Sequence, residues 1–63
     1  MKTFYLTTSS GDLILVEIGE LNGFVSFTFG GSKKRIDLEV DSALELAEEI
    51  LMISNDIFYR KGS

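Results

Sequence analysis

The sequence contains no cysteine and no histidine among its 63 residues. Without cysteine there is no disulfide to stabilise so short a chain and no thiolate ligand for a structural metal. Without histidine and cysteine, the usual general base and the usual nucleophilic thiol are missing as well. We therefore expect a protein that is not an enzyme and that uses no cofactor.

Long hydrophobic runs are also missing. No apolar run approaches the roughly 20 residues that span a bilayer, and the first residues lack the basic and then apolar pattern of a secretion signal. With 44% hydrophobic and 25% charged residues, the composition is that of an ordinary globular domain. We expect one domain over residues 1–63, no membrane association and a cytoplasmic location.

Positive charge is scarce and unevenly placed. The formal net charge is −4, and no base occurs between Asp37 and Asp56, where acids are frequent. The basic residues Lys33, Lys34 and Arg35 form one cluster. This distribution predicts an acidic helix surface, through which another protein is a candidate partner, and it opposes unspecific binding of polyphosphate.

The segment from Asp41 to Tyr59 repeats its apolar residues with the period of an α-helix. Ser42 followed three residues later by Glu45 has the spacing of a capping box, with Asp41 as an alternative cap. The apolar arc covers roughly half the circumference, whereas a helix on one small sheet needs about a third. We expect a second chain to cover the rest and residues 60–63 to form a frayed tail. The helix edge predicted as an interface contains Leu46, Ile50, Ile53, Ile57 and Phe58.

Four segments before this helix have the composition or alternation of β-strands, namely 3–8, 13–18, 24–29 and 33–40. The turns between them are short, and Asn22-Gly23 is a typical hairpin dipeptide. We therefore predict an α+β fold, a four-stranded antiparallel meander with one C-terminal helix packed on one face. The predicted core contains Phe4, Leu6, Ile14, Val16, Ile18, Val25, Phe27, Phe29, Ile36, Leu38 and Val40 from the strands, and Leu44, Ala47 and Leu51 from the helix.

The strand alternation leaves a second sheet face that is unusually apolar for a surface exposed to water. Such a face normally carries threonine, lysine and glutamate, and an apolar patch in their place marks an interface. We predict that the chain associates with itself as a dimer or larger oligomer, partly through this face. The sheet-face residues predicted for the interface are Tyr5, Leu13, Leu15 and Phe24, and Ser26, Thr28, Lys33 and Arg35 are expected beside them.

Two weaker motifs have simpler interpretations. Asp37 and Glu39 share a strand face, but a hard cation collects more oxygen ligands than two carboxylates supply. The segment from Gly30 to Lys34 is similar to a phosphate-binding loop, yet it leads into a strand and lacks the spacing of a nucleotide loop. We interpret the first as a solvated surface and the second as a hairpin turn.

The pattern also resembles a PUR-type repeat, a four-strand, one-helix unit that binds nucleic acid. The similarity lies in Phe4-Tyr5-Leu6, in Gly11, in Leu13-Ile14-Leu15, and in Arg35-Ile36-Asp37-Leu38 before a helix with Ala43 and Glu45. The resemblance implies that two units pair through their helices and sheets and bind single-stranded DNA or RNA on the sheet face. The contacts it implies are stacking on Tyr5 and Phe24, and phosphate binding by Lys33, Lys34 and Arg35. The chain departs from this pattern in being acidic, because a strand-binding groove needs a continuous positive track.

The sequence therefore supports two alternative functions. The first is a small protein-interaction module, homo-oligomeric, that works as an adaptor or inhibitor, for example a phage accessory protein, and docks on a larger partner. The second is binding of single-stranded nucleic acid through the exposed sheet face.

Overall fold

The computed structural model describes residues 1–30 and 34–62, and within these ranges the chain forms four β-strands and one α-helix. Their bounds are β1 (Lys2–Thr7), β2 (Leu13–Leu21), β3 (Phe24–Phe29), β4 (Arg35–Leu38) and α1 (Val40–Gly62). The strands form one sheet in the order β1-β2-β3-β4, and each pairing is antiparallel. The predicted α+β meander with a C-terminal helix is confirmed.

The turn between β2 and β3 is a two-residue hairpin loop at Asn22-Gly23. Leu21 and Phe24 are opposite each other in the sheet, and both loop residues have positive φ angles, 52° at Asn22 and 85° at Gly23. This combination is the type I′ turn that Asn-Gly favours. The hairpin prediction is confirmed, but β2 continues to Leu21 instead of ending at Ile18, because a two-residue loop keeps the strands paired up to it.

The helix begins earlier than the capping signal predicted. The amide of Ala43 donates a hydrogen bond of 2.9 Å to the carbonyl of Glu39, which makes Glu39 the first acceptor of α1. Ser42 therefore lies inside the first turn, and the predicted capping box with Glu45 is wrong. The placement of Val40 in the strand core is also wrong, since Val40 is an exposed residue of α1.

At its other end α1 continues beyond the predicted last residue, Tyr59, as far as Gly62. Arg60 forms an ion pair of 3.2 Å with Asp56 one turn earlier, and basic side chains in a last turn interact favourably with the helix dipole. Residues 60–62 thus belong to the helix. The frayed tail predicted for residues 60–63 concerns mobility and stays a prediction, and Ser63 lies outside the described residues.

The strand register divides the side chains of the sheet between two faces, as the alternation predicted. Face A contains the ten apolar strand residues Phe4, Leu6, Ile14, Val16, Ile18, Val25, Phe27, Phe29, Ile36 and Leu38. Face B contains Tyr5, Leu13, Leu15, Glu17, Leu21, Phe24, Ser26, Thr28, Arg35 and Asp37.

The first half of α1 lies over face A. Its contact stripe contains Ala43, Leu46, Ala47 and Ile50, which face Ile18, Val25, Phe27 and Leu38 across a gap of about 190 Å³. Leu44 and Leu51, which were predicted to meet the sheet together with Ala47, do not line this gap.

The enclosed core is small. Among the described residues, Val16 is the one apolar side chain that is buried, at 4% exposure. The other predicted strand residues of the core are half-buried, except that Leu6, Ile36 and Val40 are exposed. Most of the apolar surface of face A and α1 is therefore only partly covered within one chain.

Candidate interaction surfaces

An uncovered apolar surface follows α1. We call it the outer stripe, and it consists of Leu44, Ala47, Leu51, Ser54 and Phe58, spaced alternately three and four residues apart. Leu44, Leu51 and Phe58 are 62%, 60% and 71% exposed. A helix surface in contact with water normally carries polar residues, and this spacing is the one by which two helices pack against each other. The outer stripe is therefore a candidate helix-to-helix interface.

The residues predicted for the helix edge divide into three positions. Leu46 and Ile50 lie over face A in the contact stripe. Ile53 and Ile57 continue on the same side of the helix in its second half. Phe58 belongs to the outer stripe, and its ring contacts that of Tyr59 edge to face at 5.7 Å. All five side chains are exposed, so their role in an interface stays a prediction.

On face B, Tyr5 and Leu13 form an exposed patch near the β1–β2 turn. Tyr5 lies opposite Leu15, and Leu13 lies two residues away on β2. Leu15 itself is only half exposed, and Gly30 lies beside it, one residue beyond the pair of Val16 with Phe29. The amide of Gly30 donates a hydrogen bond of 2.6 Å to the carbonyl of Leu15, and a Cβ at position 30 would come within 3.0 Å of the Leu15 side chain. The available patch is therefore Tyr5 and Leu13.

Phe24 lies at the opposite end of face B. It is paired with Leu21 at the β2–β3 hairpin, and the six-residue step along β2 from Leu15 to Leu21 corresponds to about 20 Å. The four predicted sheet-face residues therefore form two separate patches rather than one. Leu21 was not predicted as a site residue, because residues 19–23 were assigned to a turn. The alternation that continues from Leu15 along β2 could have placed Leu21 on this face.

The centre of face B, between these patches, is polar and partly covered. Ser26, expected on the surface, is 1% exposed; its neighbours across the sheet are Gly19 and Asp37. The Cα of Met1 would lie 3.1 Å from a Cβ at Gly19, so the start of the chain crosses this region. The compact serine is thus enclosed by its neighbours, and a continuous apolar surface across face B is interrupted.

The predicted basic contacts are only partly available on this face. The Nε of Arg35 lies 3.2 Å from the Oδ1 of Asp37, two residues along the same side of β4. This ion pair offsets the charge that Arg35 would offer to a phosphate. Lys34 is exposed just before β4. Lys33 lies outside the described residues, together with Gly31 and Ser32 of the predicted turn.

An open groove of about 430 Å³ lies between the β2–β3 hairpin and the start of α1. Ile18, Phe24, Val25 and Val40 line it together with three other residues, and Glu20 is the one charged side chain in this lining of described residues.

Within residues 1–30 and 34–62, no group of three or more carboxylates is placed so that it could hold a metal ion. Asp37, considered above with Glu39, is paired with Arg35 instead. In the same part of the chain, no helix has both the length and the hydropathy required to cross a membrane.

Comparison with protein-family models, curated proteins and solved structures found no match to this chain. The resemblance to a PUR-type repeat is neither supported nor contradicted by these searches and stays a prediction. Any function must therefore be inferred from the surfaces of the protein itself.

Proposed function

We propose that the chain is a non-enzymatic interaction module that works as a homo-oligomer, in which a second copy covers the apolar surface of α1 and face A. This proposal rests on a comparison of the apolar side chains that are buried with those that are exposed. Val16 is the one buried apolar side chain among the described residues, whereas three large residues of the outer stripe are at least 60% exposed. A chain of this composition gains too little from burial when it folds alone.

The dimensions of the chain support the same proposal. Its accessible surface is 5478 Å², roughly a third more than the about 4,000 Å² expected for a compact protein of its mass. Its radius of gyration is 13.8 Å, whereas about 11 Å is expected for a compact domain of this length. The molecule is a plate with extents of 43 × 28 × 15 Å. One helix on one thin sheet leaves much apolar surface in contact with water.

A second copy of the chain is the occupant that fits best. The excess surface is larger than the roughly 800 Å² that each partner contributes to a standard interface. Permanent homodimer interfaces are the apolar class of interface, and most homo-oligomers are closed by a two-fold axis that brings the same patch together twice. Two copies of the same apolar surface, spread over α1 and face A, can cover each other in this way, and no second protein species is needed.

Face B then remains available for a different partner, which we propose to be a protein. Tyr5 and Leu13 are both 67% exposed and adjacent, and tyrosine is enriched at protein interfaces. In the first half of α1, Asp41, Glu45, Glu48 and Glu49 supply a second, acidic surface. An adaptor or inhibitor that docks on a larger protein would use one of these two surfaces.

Sedimentation of the purified protein across the micromolar concentration range tests the proposal. We expect the mass of a dimer or a larger oligomer. In a single copy the apolar surface of α1 and face A is exposed to water, and its burial between copies is favourable. A mass of 7.0 kDa, that of one chain, at all concentrations in this range would contradict the proposal.

Binding of single-stranded nucleic acid is the second candidate, favoured by the exposure of Tyr5 on face B. Titration of a labelled oligonucleotide at about 150 mM salt should show only weak binding, because few basic groups allow a salt slope no steeper than roughly −2. The ion pair of Arg35 with Asp37 lowers the available charge further. Tyr5→Ala is the test variant and Thr3→Ala, on the same face of β1, is its control. Submicromolar affinity that is lost in Tyr5→Ala alone would make nucleic-acid binding the primary function.

A further inference from the structure

We infer that the second copy docks through the outer stripe, so that the two α1 helices lie side by side and antiparallel, with a two-fold axis near the middle of the helix. This inference rests on the proposed self-association and specifies its geometry. It follows from the residue sizes along the stripe, from the distribution of charge along α1, and from the position of the stripe relative to the sheet.

The sizes of the stripe residues alternate. Large residues stand at Leu44, Leu51 and Phe58, seven apart, and small residues stand between them at Ala47 and Ser54. In a parallel pair with equal register, each residue meets its own copy, so alanine would face alanine and leave a void. In an antiparallel pair with its axis between residues 52 and 53, two of the three large residues face the small residues of the other copy. Phe58 then packs on Ala47, and Leu51 packs on Ser54, which fills the centre of the interface, while Leu44 lies opposite Lys61 at each end.

The charge along α1 favours the same orientation. Its first half, residues 40–50, contains four acids and no base, whereas its second half, residues 52–62, contains Asp56, Arg60 and Lys61. A parallel pair would place the two acidic halves side by side. An antiparallel pair places the acidic half of each copy beside the basic end of the other, and it also aligns the helix dipoles favourably.

The outer stripe is accessible while α1 remains on its own sheet. At about 100° per residue, the outer stripe is roughly a quarter of a turn away from the contact stripe that faces the sheet. Ala47 lies at the boundary and belongs to both. A second helix can therefore lie beside α1 rather than displace it, and the sheet continues to support the helix from below.

The absence of cysteine from the chain allows a direct test by thiol cross-linking of single-cysteine variants. Leu51→Cys, near the axis, should cross-link to itself with a short bismaleimide. In this register residue 44 is about 25 Å along the helix axis from residue 44 of the second copy, and residue 58 is about 17 Å from residue 58, so neither Leu44→Cys nor Phe58→Cys should cross-link alone. The two variants should cross-link when they are unfolded and refolded together, with an affinity tag on one to mark the mixed product. Glu49→Cys, on the opposite side of α1, is the control that should remain unlinked.

The possible results distinguish the antiparallel geometry from the broader proposal of self-association. Self-linking of Leu44→Cys or Phe58→Cys would show a parallel pair and overturn the antiparallel geometry. A protein that has dimeric mass but does not link at Leu51→Cys would show that another surface is used, which overturns the inference while self-association stands. A monomeric mass of the unmodified protein would overturn both.

A charge variant keeps the inference testable if the cysteine variants do not fold. Lys61→Glu makes the second half of α1 acidic, so an antiparallel dimer should dissociate about threefold to tenfold more readily at low salt. The difference should shrink at high salt. Arg35→Glu makes the same change in charge on face B, which the proposed dimer leaves uncovered, and should have no such effect. Equal dissociation constants for Lys61→Glu and the unmodified protein would overturn the inference.

Discussion

Replacing Leu51 with glutamate is expected to convert the protein into a monomer at concentrations where the unmodified chain is a dimer. Leu51 is the central large residue of the outer stripe and is 60% exposed in a single copy. In the proposed dimer, the two carboxylates would be buried near the two-fold axis, close to each other. Truncating a central interface residue costs about 2 kcal/mol or more, and burying a charge adds to this cost. We therefore expect the dissociation constant to rise about 100-fold or more, as measured by sedimentation equilibrium.

Met52→Glu is the matched control for this prediction. Met52 is the next residue of α1 and is about as exposed as Leu51, but it points away from both the outer stripe and the contact stripe. The same substitution there should leave the dissociation constant within about threefold of the original value, since isolated surface substitutions usually change free energies by less than about 0.5 kcal/mol. An equal effect of both substitutions would show that helix propensity or net charge, rather than the stripe, controls association.

Replacing Val16 with aspartate is expected to unfold the chain. Val16 lies in the middle of face A, opposite Phe4 on one side and Phe29 on the other, and it is the most deeply buried apolar residue of the described chain. Burial of a valine contributes about 1.5–3 kcal/mol, and an unpaired carboxylate in its place has no partner to offset its desolvation. Far-UV circular dichroism should show loss of the sheet, and the cooperative urea transition should disappear.

Leu13→Asp provides the comparison, because it introduces the same side chain into the same strand. Leu13 lies on face B and is 67% exposed, so its replacement removes little buried surface. The free energy of unfolding should change by no more than about 0.5 kcal/mol. Retention of a cooperative transition in Val16→Asp would contradict the assignment of face A as the core of the protein.

The strands and their faces could be predicted because the sequence pattern has a period of two. From Phe24 to Phe29 the alternation is regular, and the structure has β3 with the same bounds. The end of β2 could not be predicted in the same way, because Gly19 and Glu20 are typical of turns. Their pairing with Ser26 and Val25 across the sheet keeps these residues in the strand. The end of β2 therefore depends on its pairing with β3, which local residue preferences do not predict.

The position of the helix on the sheet was harder to predict than the helix itself. The apolar arc of α1 is wide enough to include both Leu44 and Leu46. The sequence alone therefore does not indicate which part of the arc faces the sheet. In the structure the contact stripe faces the sheet, and this leaves the large side chains of the outer stripe exposed. The split of the sheet-face residues into two patches depends on the register between strands, which alternation within one strand does not define.

The meander order of the strands has a consequence for the rate of folding. Every strand pairs with its neighbour in the chain through a short connection, so closing each loop costs little entropy and the contact order of the sheet is low. Strand pairing, beginning at the Asn22-Gly23 hairpin, can then proceed on a submillisecond timescale, since an isolated hairpin forms in about 1–10 μs. In the proposed dimer, burial of the outer stripe requires an encounter with a second copy of the chain. Refolding should consequently show a fast phase that does not depend on protein concentration, followed by a slower phase whose rate increases with it.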